Sequence, residues 1–171
     1  RMGVLPSERV LHSLLEILTA GDPLESAVET ALAVMGQKAD VSRAWVLEQK
    51  KGERFFCEAY EWCAKGIKTS RPSSERLTRE SLGEMYACFE TESVFYCKEI
   101  GLLSKDLHQL LELQDVCSIL VCPIRAGGRV VGMIGFDECR EKRLWAKAEV
   151  ELLSDTAKLL SIFLVGECQG Q

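Results

Sequence analysis

The stretch Ser118–Trp145, SILVCPIRAGGRVVGMIGFDECREKRLW, restricts the choice of fold more than any other part of the chain. An apolar run (Ile119, Leu120, Val121) reaches Pro123 and Ile124, and Gly127-Gly128 follow. A second apolar run studded with small residues then returns from Val130 to Phe136. Two β-prone runs joined by Gly-Gly predict a hairpin, since that turn needs positive φ at its central residues. The chain leaves at Asp137 and enters a long amphipathic segment near Trp145. A hairpin feeding such a helix predicts a sheet with helices laid across it. No catalytic motif accompanies it, which points to a sensing module.

Upstream, Ser7 to Thr19 carries a helical stripe (Val10, Leu11, Leu14, Leu15, Leu18), with Ser7 as N-cap after Pro6. Asp22 and Pro23 open a second helix, and Gly36 is expected to stop it. Val41–Glu48 and Phe55–Trp62 read as strands around a Lys50-Lys51-Gly52 turn. Cys63 to Ser81 is polar and irregular, a loop length that is more often functional than structural. A short helix (Leu82–Glu90), a strand (Val94–Cys97) and a helix capped by Ser104 precede the hairpin. The last helix, from Ala146 to about Val165, has one flank with Leu153, Ala157 and Leu160 and a second with Leu152, Leu159 and Ile162. An apolar arc that wide can face both the sheet and a partner.

A chain of 171 residues with 47% hydrophobic and 27% charged residues suits one globular domain. The net charge of −5 gives no electrostatic footprint for nucleic acid. No apolar run approaches the ~20 residues of a membrane span, and Arg1-Met2-Gly3 does not open a secretory signal. Several of the eight cysteines, among them Cys57, Cys117 and Cys122, sit in apolar strand-like runs, as reduced thiols of a cytoplasmic protein do.

The order of elements, with the words VSRAWVLE (Val41–Glu48), EWCAKGI (Glu61–Ile67), SILVCPI (Ser118–Ile124), GMIGFDECREKRLW (Gly132–Trp145) and AEVELLSDTAKLLSIFL (Ala148–Leu164), resembles a GAF domain. The likeness is to the bacterial signalling type found beside PAS, histidine-kinase or diguanylate-cyclase modules. The resemblance implies an α+β fold: a central antiparallel sheet of five to six strands, terminal helices on one face, and short helices over a pocket on the other. It implies one domain over residues 1–171, with an N-terminal helix in 1–22 and a signalling helix in 146–171. It also implies a homodimer through those helices, a small-molecule ligand and a covalently linked output domain.

Several other chemistries compete with this reading. Bilin-binding relatives carry a Cys-His pair early in the helix where this chain has Lys105-Asp106-Leu107-His108, so the anchor is missing and covalent bilin is not expected. His108, alone beside Leu107, Leu110 and Leu111, and His12 are poor grounds for haem. Phe136-Asp137-Glu138 echoes part of a cyclic-nucleotide motif without its Asn-Lys portion. A thiol-based redox sensor, or an enzyme similar to the GAF domains that reduce free methionine sulfoxide, would use Cys63 with a neighbouring cysteine, but no cysteine sits beside an obvious base. Cys117 and Cys122 differ by an odd offset, so a regular strand cannot aim both at one metal ion. What remains is an apolar pocket with a few polar handles. The candidate lining residues are Trp45, Trp62, Cys63, Tyr86, Phe89, Phe95, Leu107, Leu111, Cys122 and Met133. A scaffold whose pocket is filled by its own side chains is the alternative.

Overall fold

The computed structural model describes residues 7–169. Six strands form one sheet in the order β3-β2-β1-β6-β5-β4, every neighbour antiparallel. The strands are β1 (Arg43–Gln49), β2 (Phe55–Cys63), β3 (Leu77–Thr78), β4 (Phe95–Cys97), β5 (Ser118–Ala126) and β6 (Arg129–Glu138). The Gly127-Gly128 turn joins β5 to β6 with φ of 57° and 82°, the conformation the dipeptide predicted. β5 runs through Pro123 because β4 pairs only with Ile119 to Val121, so the missing N–H costs that edge no ladder bond.

One face is covered by α1 (Ser7–Thr19), α2 (Leu24–Ala39) and α6 (Lys147–Gln169). Leu14, Val28, Leu32, Leu152, Leu153 and Leu160 meet Val46, Leu120, Ile134 and Phe136 there. Burying each such side chain is worth about 1.5–3 kcal/mol. The opposite face lies under α3 (Arg79–Leu82), α4 (Glu84–Cys88) and α5 (Lys105–Leu113), where Trp45, Leu47, Phe89, Leu107, Leu111 and Met133 form a second core. The α+β architecture, with its six-stranded sheet, is the one the resemblance implied. No described helix is long and apolar enough to cross a membrane.

Several local expectations change. α2 passes Gly36 and ends at Asp40, which takes the left-handed conformation (φ 53°). Gly36 is small for another reason: a Cβ there would overlap the Trp62 ring. Pro23 occupies the N-cap of α2, and no side chain caps that helix. The irregular segment after Cys63 contains β3, whose two residues are too few to leave a period. The single short helix is split into α3 and α4 at Gly83 (φ 51°). Ser104 precedes α5, but its hydroxyl donates to Glu84 Oε1 at 2.6 Å instead of capping the helix. The expected junction of Ser7 with Pro6, and the outer ends of the expected terminal segments, lie outside the described residues.

Candidate functional site

The site is built on an irregularity in β2. Val46 pairs with Tyr60 and Leu47 with Glu58, so Ala59 is an extra residue without a partner. In a regular strand, residues three apart point to opposite faces. The bulge restores the parity, and Glu58 joins Glu61 and Cys63 on the face of Trp45 and Leu47.

Beneath α3, α4 and α5 lies a cavity of about 20 Å³, the room of roughly one water molecule. Its apolar wall includes Trp45, Leu47, Leu77, Leu82, Met85 and Leu111, and its polar groups are Glu58, Ser70, Ser74 and Gln114. Ser70 Oγ is 2.9 Å from Glu58 Oε1 and 2.7 Å from Glu61 Oε2, and the Ser70 amide donates to Glu61 at 2.8 Å. Burial, then the Glu61 charge, pushes the Glu58 carboxyl up to about 8. Burial works against the Glu61 charge too, but hydrogen bonds from Thr69 and Ser70 outweigh it and lower its pKa. Two carboxyls in one site thus take opposite protonation states, as like charges so close require.

Behind the cavity, Trp45 donates from Nε1 to Asp137 Oδ1 at 2.8 Å, and Arg43 Nε donates to Asp137 Oδ2 at 2.9 Å. Arg43 and Asp137 are each 2% exposed. Burial pushes Asp137 upward and opposes the charge of Arg43, whose pKa Asp137 and Cys139 nevertheless raise. Both oxygens of Asp137 accept from nitrogen donors, the pattern of an ionised pair. Arg43 also donates to the backbone oxygens of Lys68 and Gln114, and the Gln114 amide donates to Ser74 Oγ at 2.8 Å. Trp45 fits here because its same-face partner on β6 is Gly135, where a Cβ would overlap the indole.

Of the ten candidate residues, Trp45 and Leu111 line the cavity. Phe89, Phe95, Leu107 and Met133 lie in the apolar cluster around it, and Tyr86 packs against that cluster with Arg79 stacked 4.8 Å from its ring centroid. Cys63 shares the face, half-buried, its thiol 3.8 Å from the Lys68 oxygen and pushed up to about 12 by burial and Glu61. Trp62 and Cys122 do not join them: strand parity turns both toward the terminal helices, into the other core. Sequence reasoning missed Glu58, Ser70, Ser74, Gln114 and the Arg43–Asp137 pair. A Glu in an alternating strand and serines in a polar loop carry no signal of convergence.

A model of the GAF domain matches residues 23–164. The chain belongs to the GAF domain family, a family of regulatory sensing domains. One curated relative is the methanogenesis regulatory histidine kinase FilI of Methanothrix harundinacea, 24% identical over 138 residues. The match covers 78% of this chain, and the chain spans 16% of the relative's length. Among solved structures, a far-red absorbing dark state with bound biliverdin superposes with a TM-score of 0.77 at 20% identity, over 90% of this chain and 96% of that one. The GAF domain of a phosphoenolpyruvate-protein phosphotransferase from Coxiella burnetii gives 0.75 at 14%, over 96% of each chain.

The expectation about cofactors, which set covalent bilin and haem aside, is corrected by these neighbours. Besides the biliverdin complex they include phytochrome chromophore-binding domains and a phycocyanobilin-bound GAF domain, so this chain has the fold of bilin-holding proteins. At such identities the likeness is one of fold. The missing cysteine before His108 removes one covalent anchor and says nothing about the shape of sheet and cover, so it was no ground for excluding a chromophore.

Proposed function

We propose that this chain is a non-enzymatic, small-molecule-sensing module of a larger signal-transduction protein of two-component type, placed in the cytoplasm. In this reading residues 1–171 form one GAF domain with a covalently linked output domain. It works as a homodimer through the terminal helices, with 146–171 as the signalling end.

The observation that carries the reading is the continuity between the cavity and the start of α6. Trp45, in the cavity wall, is bonded to Asp137. The next residue, Glu138, accepts from Arg143 at 3.1 Å, and Arg143 also donates to Glu149 in the first turn of α6. A ligand that shifts Trp45 or Gln114 would act on this chain of bonds, by no more than its differential affinity for the two arrangements. Thiol chemistry is disfavoured by the thiols themselves: burial pushes Cys122 to about 12 and Cys139 to about 11, in line with Cys63. Seven free cysteines among the described residues suit a reducing compartment.

A groove between α1 and α6, lined by Leu11, Leu15, Leu159 and Ile162 together with Glu8, His12, Asp155 and Lys158, supports the dimer. Leu15 is 42% and Ile162 69% exposed, an apolar surface a second copy would cover.

The small size of the cavity favours the scaffold as the second reading. The two are separated by melting temperature against a panel of amine, carboxylate and tetrapyrrole ligands, biliverdin included. A sensor gains stability with one ligand, and Leu111→Phe, whose added bulk matches the cavity, loses that response. A panel without effect on the native chain leaves the scaffold.

A further inference from the structure

The hydrogen bonds at the cavity floor fix the positions of its protons. Ser70 Oγ contacts both Glu58 Oε1 and Glu61 Oε2, yet a hydroxyl has one proton to donate. The second contact therefore needs a proton on a carboxyl. Glu61 already accepts from Thr69 Oγ1 and the Ser70 amide, the pattern of a carboxylate. Ser70 donates to Glu61, and Glu58 holds the proton and donates from Oε1 to Ser70. Glu58 Oε2 is then left as a carbonyl-type acceptor, buried and with no hydrogen-bond partner among the protein's own groups. It belongs to a residue that lines the cavity.

The charges around this acceptor have a definite sign. Facing Glu58 are Glu61 on its own strand and Asp137 on β6, with Arg43 on β1 as the cation of the site. Arg43 is already engaged by Asp137, the Lys68 and Gln114 oxygens and Cys139 Sγ, so it has little to offer an anionic ligand. With Glu58 neutral, the set of Glu61, Asp137 and Arg43 still carries one negative charge in excess. An unpaired buried acceptor, a local negative excess and walls of Leu, Met and Trp together describe a receptor for a cationic donor on a compact apolar body.

The geometry points to a protonated primary amine as the ligand: we infer that an ammonium group donates to Glu58 Oε2 and displaces the Glu58 proton to solvent. The inference rests on the reading of this cavity as the ligand site. The step balances in charge, since one ammonium enters and one proton leaves; the Glu58–Ser70 hydrogen bond that this proton made is broken, and the bond from the ammonium replaces it. Glu58, pushed up to about 8 by burial and Glu61, holds its proton at neutral pH and yields it to a cation beside it. The cavity admits an ammonium ion as it stands, and methylammonium and longer amines require α3–α5 to move outward.

The test titrates the native chain at pH 7 and constant ionic strength with ammonium, methylammonium and n-propylammonium chlorides, and with methanol and 1-propanol as neutral counterparts. Melting temperature is followed alongside calorimetry in phosphate and in HEPES, whose ionisation enthalpies differ. The expected result is stabilisation by at least one ammonium ion and not by its alcohol, with release of about one proton per site. Glu58→Gln, isosteric with the protonated acid, is expected to weaken binding by about tenfold or more and to abolish the proton release. Proton release is read on the native chain, so a poorly folding variant leaves the test intact. Stabilisation by alcohols as strong as by the ammonium ions, or ammonium binding without proton release, overturns the amine inference. If Leu111→Phe abolishes the alcohol response, the cavity reading survives. Silence in both series overturns the inference and counts against the cavity reading as well.

Discussion

Glu58 and Glu61 stand three residues apart on β2 and share a face only because Ala59 is bulged out between them. The consequence is a carboxyl that stays protonated when folded and ionises when unfolded. Its folded pKa of about 8 lies above the ordinary 4.5, so between those values the folded chain holds more protons than the unfolded one. This contribution to stability is complete below pH 4.5 and lost as pH rises through 8. Melting temperature is therefore expected to fall from pH 5 to pH 8 in the native chain and to fall less in Glu58→Gln. Equal slopes would contradict the assignment. Gly135 makes a second prediction at this scale. Gly135→Ala sets a methyl into the space of the Trp45 indole and is expected to cost about 1–3 kcal/mol by overpacking, read by urea denaturation.

At the scale of elements, the strap from Glu138 to Ala146 ties the end of α2 to the beginning of α6. Arg143 donates to the Ala39 and Asp40 oxygens, to Glu138 and to Glu149, while Glu149 accepts from the Ala146 amide at 2.7 Å. That last bond is the Glu half of a capping box. Burial opposes the Glu138 charge, but hydrogen bonds from Arg140, Ser42 and Arg143 pull its pKa to about 2. The stability it confers is present above pH 4.5 and is lost as pH falls toward 2. Arg143→Ala leaves Glu138 and Glu149, at 3% and 4% exposure, short of a partner. Glu138 keeps Arg140 and Ser42, so the loss falls mainly on Glu149 and costs about 1–3 kcal/mol. Faster hydrogen exchange is expected in the first two turns of α6, and unchanged exchange there would contradict the strap's role.

What was legible in the sequence follows the same division. Elements with strong periodicity, the β5–β6 hairpin and the terminal helices, read correctly because their patterns repeat over many residues. The apolar half of the site read partly: Trp45 and Leu111 line the cavity, whereas Trp62 and Cys122 belong to the helical face. The polar half did not read at all. Glu58 reaches the cavity through a bulge, and Ser70 and Ser74 through a loop shaped by the two-residue strand β3, and neither device leaves a periodic trace.

At the scale of the molecule, the sheet separates two cores with different neighbours. One lies under short helices around the cavity, and the other packs against α1, α2 and α6, with the apolar groove on its outer side. If that groove is the dimer surface, Ile162→Asp shifts the chain from dimer to monomer in sedimentation. It also changes the monomer's stability by less than about 0.5 kcal/mol, because Ile162 is an exposed side chain. A dimer that survives the substitution would place the interface elsewhere. Whether the chain is a sensor assembled as a dimer is decided by native mass spectrometry of the purified chain, compared with its denatured mass. The expected species is a dimer carrying a non-covalent mass excess that denaturation removes. A monomer at the bare chain mass would contradict it.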